Sequence, residues 1–210
     1  MKNKYFQHLV KEEEFSLFTA EFLFKKLKSI SERKKKVTIA LSGGKTPLPV
    51  LNLLKDYKLN WECFVFFMVD ERNVSTKAAS SNYGNIKKVF FNKINTVSHS
   101  MMNDDLAIED CVIYYENLLR TEIPLNKNNF PVMDLIILGM GDDGHTASLF
   151  PGTEGLEESQ KCVIKNRIHQ MNTDRITLTY PVLLNAKEII LLFNPQFFIR
   201  LQSSCSISHI

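Results

Sequence analysis

The chain lacks long apolar runs, closely spaced cysteine pairs and any marked excess of charge. Its 210 residues include 26 basic and 23 acidic side chains, a net charge of +3, which argues against nucleic acid or a membrane surface as partner. No apolar stretch reaches the roughly 18 residues that a membrane span requires. The four cysteines form no CxxC pair, and Met1 to Lys11 lack the apolar core of a signal peptide. We therefore expect a cytoplasmic protein, present as a monomer or a weak oligomer.

The sequence does contain enough apolar residues for one folded core. Hydrophobic residues make up 44% of the chain and charged residues 23%, and the length suits a single domain over residues 1–210. Apolar strands are predicted at 37–41, 63–69, 132–138 and 188–193, and helices at 12–30, 48–54, 81–91 and 104–120. Because continuous apolar strands alternate with helices, we predict an α/β fold of three layers (α/β/α) with a mainly parallel sheet.

Polar loops follow three of the predicted strands, at the edge of the sheet where α/β proteins bind ligands. The first loop, Ser42 to Thr46, places Gly43 and Gly44 before a helix, so backbone N–H groups and the helix dipole can face an anion. Lys45 would add a positive charge, and Thr46 would add either a hydroxyl contact or a helix cap. The loop is not a Walker A motif. A purely structural tight turn is the alternative.

The second loop, Asp70-Glu71-Arg72, follows a strand whose last several positions are all apolar. Its charges are therefore expected at the edge of the core. An aspartate beside a cleft can orient a histidine, and an arginine can hold a phosphate or a carboxylate through two parallel hydrogen bonds. The alternative is a solvated loop whose charges pair with one another.

The third loop, Gly139 to Gly152, contains His145, which can transfer protons near neutral pH. Its glycines satisfy a GxGxxG pattern, but Asp142 and Asp143 would repel a pyrophosphate and Pro151 would end the helix that dinucleotide binding needs. Metal binding by this loop is disfavoured, since adjacent carboxylates point apart and no second histidine has ligand spacing. No Gly-x-Ser-x-Gly elbow is present. A hydrolase that activates water therefore fits better than a serine esterase.

These loops, in this order and spacing, resemble the 6-phosphogluconolactonases of the pentose phosphate pathway. The shared motifs are LSGGKTP at 41–47, DER at 70–72 with SNY at 81–83, GMGDDGHTASLFPG at 139–152 and RITL at 175–178. The resemblance extends from about residue 10 to about residue 192. The related glucosamine-6-phosphate deaminases and isomerases share the fold and the glycine loop. Their third loop differs, however, and Thr146 to Phe150 favours a lactonase here.

The resemblance implies a deaminase/isomerase-like fold and hydrolysis of 6-phospho-D-glucono-1,5-lactone to 6-phospho-D-gluconate, with no metal and no organic cofactor. It implies that His145 deprotonates the attacking water and then protonates the departing ring oxygen, while Asp70 holds or tunes His145. Arg72 would position the acidic substrate or its developing negative charge. The substrate-binding residues that the resemblance implies are Gly43, Gly44, Lys45, Thr46, Asn82, Gly141 and Arg175.

The sequence departs from the family pattern after about residue 192. A glycine turn and a lysine are expected there, and Phe193 to Arg200 stands in their place; in the related deaminases that lysine contacts phosphate. Two alternatives are therefore kept open. One is a truncated chain that is unstable, or that binds a sugar phosphate without turnover. The other is an enzyme that acts as a glucosamine-6-phosphate deaminase or isomerase.

Overall fold

The computed structural model describes residues 7–193, which form an α/β fold with two sheets. The main sheet has five parallel strands, in spatial order β4 (Val97–Ser98), β2 (Phe64–Met68), β1 (Val37–Leu41), β5 (Leu135–Gly139) and β8 (Ile189–Leu192). The second sheet is antiparallel, in order β3 (Asp70–Arg72), β7 (Thr173–Leu178) and β6 (Val163–Ile168). The flanking helices are α1 (Glu12–Ser31), α2 (Pro47–Leu54), α3 (Asn82–Val89), α4 (Ile108–Glu122) and α5 (Tyr180–Leu184).

The predicted α/β fold with a mainly parallel sheet is confirmed. Every residue of β1 and of β2 is buried, as expected for strands that are covered on both faces. Helix α1 begins with three glutamates and has a lysine in its last turn, both favourable to the helix dipole. It buries Ala20, Leu23 and Leu27 against the core. Hydrophobic periodicity therefore located α1 and four of the five strands of the main sheet to within three residues, whereas the two-residue strand β4 was not predicted.

The antiparallel sheet was not predicted from the sequence pattern. Asp70-Glu71-Arg72 was predicted as a loop, but it forms β3 and pairs with β7. The strand β6 alternates buried and exposed residues and includes Lys165 and Arg167, so it lacks the continuous apolar character used to identify strands. A short strand whose side chains are mostly charged acquires its structure from its partner and not from its own pattern.

The two sheets meet at Val69, which follows β2 directly. The Val69 N–H donates to the carbonyl of Leu41 at 3.0 Å, which continues the pairing with β1. The Val69 carbonyl accepts from the Leu178 N–H at 2.9 Å, which attaches the end of β7. Immediately before this junction, the Tyr115 hydroxyl of α4 donates to the Met68 carbonyl at 3.1 Å and accepts from the Met68 N–H at 2.7 Å. The backbone immediately before residues 70–72 is therefore fixed by hydrogen bonds to β1, to α4 and to the end of β7.

A buried carboxylate makes hydrogen bonds at the amino-terminal end of the strands of the main sheet. Asp134, 3% exposed, precedes β5 and accepts from Lys34 Nζ at 2.6 Å, Lys187 Nζ at 2.8 Å and the Thr38 N–H at 3.0 Å. Burial raises the pKa of Asp134, but the hydrogen bonds from the two lysines and from Thr38 outweigh burial and hold the pKa below its usual range. The charged form is therefore the one that stabilises the fold.

The residues after 193 are outside this description. The predicted divergence from the family pattern begins at Phe193, and its remaining residues, 194–210 with Arg200, lie outside the described residues. In the described part of the chain, no helix is both long and apolar enough to cross a membrane.

We expect Asp134→Asn to lower the free energy of unfolding by about 2 kcal/mol at neutral pH, because the amide cannot replace hydrogen bonds from two ammonium groups. The folded-state pKa of Asp134 is depressed, so its contribution is present above the unfolded-state pKa and is lost as pH falls through the folded-state pKa. Urea unfolding of both proteins across the acid range should show the difference shrinking as pH falls. A difference that is constant with pH would contradict this explanation.

Candidate active site

A pocket of about 200 Å³ lies at the carboxyl ends of β1 and β5, where β3 and β7 close one side. Its lining includes seven of the residues predicted for the site: Gly43, Gly44, Asp70, Arg72, Asn82, His145 and Arg175. Five further residues complete it: Ser42, Gly139, Ala147, Phe150 and Met171. Ligands of open α/β sheets bind outside the carboxyl ends of the strands, and this pocket is in that position.

His145 forms a pair with Asp143, not with Asp70 as predicted. Its Nδ1 lies 2.5 Å from Oδ1 of Asp143, and its backbone N–H donates to the same oxygen at 3.2 Å. Partial burial raises the pKa of Asp143, but the hydrogen bonds from His145 outweigh it, so the pKa is below its ordinary value. The Asp143 carboxylate is therefore held in its charged form beside the imidazole. A charged partner at Nδ1 fixes the tautomer and stabilises a protonated ring.

Asp70 has a different partner in the structure. Its Oδ2 accepts from the Ser148 hydroxyl at 2.6 Å, and both side chains are buried. Ser148 is itself positioned by its neighbours, since its N–H donates to the Thr177 hydroxyl at 3.2 Å and its carbonyl accepts from the Asn166 amide at 2.8 Å. Asp70 lines the pocket through this chain of contacts. The predicted contact by which Asp70 holds His145 is not formed, because the Asp143 carboxylate, two residues away from His145, occupies Nδ1. That Asp70 tunes His145 stays a prediction.

The imidazole of His145 is restrained by two neighbours besides Asp143. The Phe150 ring stacks on it with centroids 3.7 Å apart and planes inclined by 20°. Gly141 lies so close to the ring that an added Cβ would collide with Cε1 and Nδ1. Gly141 is thus beside His145 and outside the pocket lining, a supporting position that the sequence motif did not distinguish from substrate contact. Among the described residues, Nε2 has no hydrogen-bond partner, so this nitrogen is free for proton transfer.

The buried carboxylate of Glu71 connects β3 to the start of α3. It accepts from the N–H groups of Asn82 and Tyr83 at 2.7 Å each, from the Arg72 N–H at 2.8 Å and from the Ser81 hydroxyl at 2.9 Å. Desolvation by burial raises its pKa, and these four donors lower it in part. Glu71 is therefore a structural residue that positions its neighbours on either side.

Asn82 is placed in the pocket by this arrangement. Its Nδ2 donates to the Asp70 carbonyl at 3.1 Å, and Gly43 packs against its side chain so closely that a Cβ at position 43 would overlap the Asn82 amide. Gly44 has a φ of 97°, in the region that favours glycine. Each of the two positions in the first loop therefore requires glycine: position 43 for space and position 44 for its backbone angle.

Two arginines face each other across the β3–β7 pairing. Arg72 and Arg175 are register partners, so their side chains project from the same face of the sheet. The Nη1 group of Arg72 donates to the Ser80 carbonyl, whereas Arg175 Nη2 contacts Met171 Sδ at 3.6 Å. Desolvation and the charge of Arg72 together lower the pKa of Arg175. The pair concentrates positive charge on one wall of the pocket.

Buried polar atoms without a partner are concentrated in this pocket. In residues 7–193 they are Ser42 Oγ, Arg72 Nε, Asn82 Oδ1 and Arg175 Nε, and all four residues line it. Such atoms are costly to bury unpaired, and a bound polar ligand is the usual explanation when they converge. The two arginine donors are suited to an anion and the amide and hydroxyl to a polyhydroxylated ring.

Lys45 and Thr46 are not brought to this pocket. They line a neighbouring cavity of about 280 Å³ together with residues at the start of α1, among them Glu12 and Phe15. Thr46 has helical backbone angles (φ −65°, ψ −46°) and makes no capping hydrogen bond through its side chain, so the predicted cap is absent. The helix α2 begins at Pro47, a first position where the missing N–H of proline is no disadvantage. Substrate contact by Lys45 and Thr46 therefore stays a prediction without geometric support.

A metal site is not evident in the described part of the chain. Within residues 7–193 no three histidine, cysteine, aspartate or glutamate side chains are grouped as a metal ion would require. Asp142, which the sequence groups with Asp143 and His145, lines neither of the two cavities described.

The geometry can be compared with known proteins. The sequence profile of the family described as glucosamine-6-phosphate isomerases/6-phosphogluconolactonase matches residues 11–196. The chain belongs to this family. The family resemblance found in the motifs is thereby confirmed, and the deaminase/isomerase-like fold with it.

The relatives within the family are named lactonases. The 6-phosphogluconolactonase of Synechocystis sp. is 37% identical over 169 residues, which are 79% of this chain and 69% of that protein. The 6-phosphogluconolactonase of Chlamydia muridarum is 36% identical over 156 residues, 72% of this chain and 58% of that protein. The crystal structure of the 6-phosphogluconolactonase of Thermotoga maritima has a TM-score of 0.82 at 30% identity and covers 93% of this chain and 87% of its own. The alignments thus span 58% to 69% of the two sequence relatives.

Gly141→Ala is expected to displace the His145 imidazole and break its hydrogen bond to Asp143, because the new methyl group would overlap the ring. The matched control is Gly139→Ala, where an added Cβ has open space around it. NMR of the His145 ring at one fixed pH should show displaced ring signals in the first variant and unchanged signals in the second. Circular dichroism on both samples separates this effect from unfolding. Identical ring signals in the two variants would contradict the packing argument.

Proposed function

We propose that the chain hydrolyses 6-phospho-D-glucono-1,5-lactone to 6-phospho-D-gluconate, a step of the oxidative pentose phosphate pathway. The observation that supports this most is the shared pocket of His145 and the two arginines. A histidine with a free Nε2 and a carboxylate at Nδ1 is suited to activate water. Paired arginine donors are suited to a phosphate group. A phosphorylated lactone requires both at once.

In the proposed reaction, Nε2 of His145 accepts a proton from a water molecule as the water oxygen attacks the lactone carbonyl carbon. The Asp143 carboxylate, 2.5 Å from Nδ1, stabilises the resulting imidazolium. When the tetrahedral intermediate collapses, the bond between the carbonyl carbon and the ring oxygen breaks. The imidazolium returns its proton to that oxygen, which becomes a hydroxyl group of the open-chain product. The histidine is then neutral again.

Substrate binding is proposed to divide according to charge. Arg72 and Arg175 would hold the phosphate, since both Nε groups are buried and lack a protein partner. Asn82 and the backbone of Gly43 and Gly44 would contact the sugar ring or the carbonyl oxygen. Asp70, fixed by Ser148, would accept a hydrogen bond from a sugar hydroxyl.

The names of the relatives favour a lactonase over a deaminase within the family. The relatives from Synechocystis sp., Chlamydia muridarum and Thermotoga maritima are all called 6-phosphogluconolactonase. A cytoplasmic location, and a monomeric or weakly oligomeric state, stay predictions from composition.

His145→Ala is expected to lower kcat by about a hundredfold to ten-thousandfold, the usual contribution of a general acid–base. Asp143→Asn should lower kcat as well, because a neutral amide no longer stabilises the imidazolium that forms during the reaction. Asp142→Asn, which removes the adjacent carboxylate outside the pocket, is the matched control.

The measurement is stopped-flow hydrolysis of freshly prepared lactone, corrected for spontaneous hydrolysis, with circular dichroism of each sample. A folded His145→Ala protein with kcat close to that of the unchanged chain would contradict the assigned role. A folded unchanged chain that gives only the spontaneous rate would contradict the proposed function.

Arg175→Gln is expected to raise KM for the phosphorylated lactone by about tenfold to a hundredfold, the loss of a charge-assisted hydrogen bond. The KM for unphosphorylated D-glucono-1,5-lactone should change little. The control Arg167→Gln removes an exposed arginine of the neighbouring strand β6, whose partners are Asp174 and Asn172. Steady-state kinetics with both lactones distinguishes the outcomes. Equal increases in KM for both substrates would place the contact at the sugar and not at the phosphate.

A further inference from the structure

The rim of the pocket contains an exposed methionine in contact with one of the two arginines. Met171 ends the 3-10 helix His169–Met171 at the tip of the β6–β7 hairpin, where Asn172 turns the chain with a φ of 47°. The residue is 54% exposed and also lines the pocket. Its Sδ lies 3.6 Å from Nη2 of Arg175. The Met171 side chain is therefore exposed to solvent and in contact with Arg175 at the same time.

This exposure is exceptional among the methionines of residues 7–193. Those at positions 68, 101, 102 and 133 are 8% exposed or less, and Met140 is of intermediate exposure. Oxidation of methionine by peroxides follows accessibility. Met171 is therefore the first methionine that a dissolved peroxide should reach in the described part of the chain.

The contact with Arg175 determines what oxidation would do. A thioether sulfur is a weak hydrogen-bond acceptor, so it leaves the guanidinium available to a ligand. Arg175 also has a buried Nε without a partner, so its donors are not committed elsewhere. A sulfoxide is polar, and its oxygen accepts hydrogen bonds strongly. An oxygen added to Sδ would be close enough to take a donor of Arg175 away from a phosphate.

We propose that Met171 is an oxidation site whose sulfoxide binds Arg175 and thereby competes with the anionic group of the substrate. In the oxidation, a lone pair of Sδ attacks one oxygen of hydrogen peroxide and the O–O bond breaks. The S–O bond forms and water leaves. The sulfur loses two electrons and the peroxide gains them. The effect on catalysis rests on the proposed function, whereas the contact between the sulfoxide and Arg175 does not.

The test treats the whole chain with hydrogen peroxide and compares it with Met171→Leu and with the matched control Met140→Leu. Peptide mass spectrometry determines which methionines gain one oxygen atom. Calorimetric titration with 6-phosphogluconate, the stable product, then measures affinity, and stopped-flow kinetics measures KM and kcat. NMR of nitrogen-labelled arginine side chains follows Arg175 without any ligand. Each protein is compared with its own untreated sample.

Oxidation of the unchanged chain and of Met140→Leu should raise KM and the Kd for 6-phosphogluconate by about tenfold, with a smaller change in kcat. The response should be absent in Met171→Leu. It should be reversed by methionine sulfoxide reductases and not by dithiothreitol, which excludes the cysteines.

Two results would overturn the proposal: another methionine of residues 7–193 oxidised before Met171, or full oxidation of Met171 with unchanged Arg175 signals and unchanged Kd. A shift of the Arg175 signals in a chain that does not hydrolyse the lactone would contradict the proposed function alone.

Discussion

The buried carboxylate of Glu71 is the interaction on which the rest of the site depends. Its four hydrogen bonds hold the backbone of Arg72 on one side and the first residues of α3 on the other. Arg72 and Asn82 both line the pocket, and Gly43 packs on Asn82. One side chain that does not itself line the pocket thus positions two segments directly, and a third through the contact of Gly43 with Asn82. Because such a carboxylate has all its acceptor positions filled, it tolerates burial that would otherwise be unfavourable.

The site divides its work between rigid strands and one folded loop. The arginine wall is built on β3 and β7, whose pairing fixes both side chains from the backbone outward. The proposed proton-transfer group, His145, is on the loop 139–152, after the end of β5. There the imidazole is fixed by Asp143 at Nδ1, by the stacked ring of Phe150 and by the close approach of Gly141. A loop residue restrained by three neighbours can be as well positioned as a strand residue.

The sequence pattern was sufficient to locate four of the five strands of the main sheet and seven of the twelve pocket-lining residues, His145 among them. Buried parallel strands are apolar throughout, and the loops after them converge at one edge, so Asp70, His145 and the glycines could be placed together from the residue pattern alone. The antiparallel sheet was not predictable, since β3 consists of charged residues that become a strand only through β7.

The partner of His145 was missed for a related reason. Sequence reasoning looked for the carboxylate on another strand, whereas the spacing of Asp143 and His145, two residues apart in one loop, was the available signal. Adjacency to the glycines did not place Lys45 in the lining of this pocket, so substrate contact by Lys45 stays a prediction.

Arg72 and Arg175 face each other, and both side chains are partly withdrawn from water. Desolvation is the main cause of the lowered pKa of Arg175, and the like charge of Arg72 lowers it further. An anion bound between the two guanidinium groups would offset this repulsion. Because such an anion would bind only the folded chain, occupancy of the pocket and resistance to unfolding would be thermodynamically linked. A sugar phosphate bound there would therefore stabilise the folded chain.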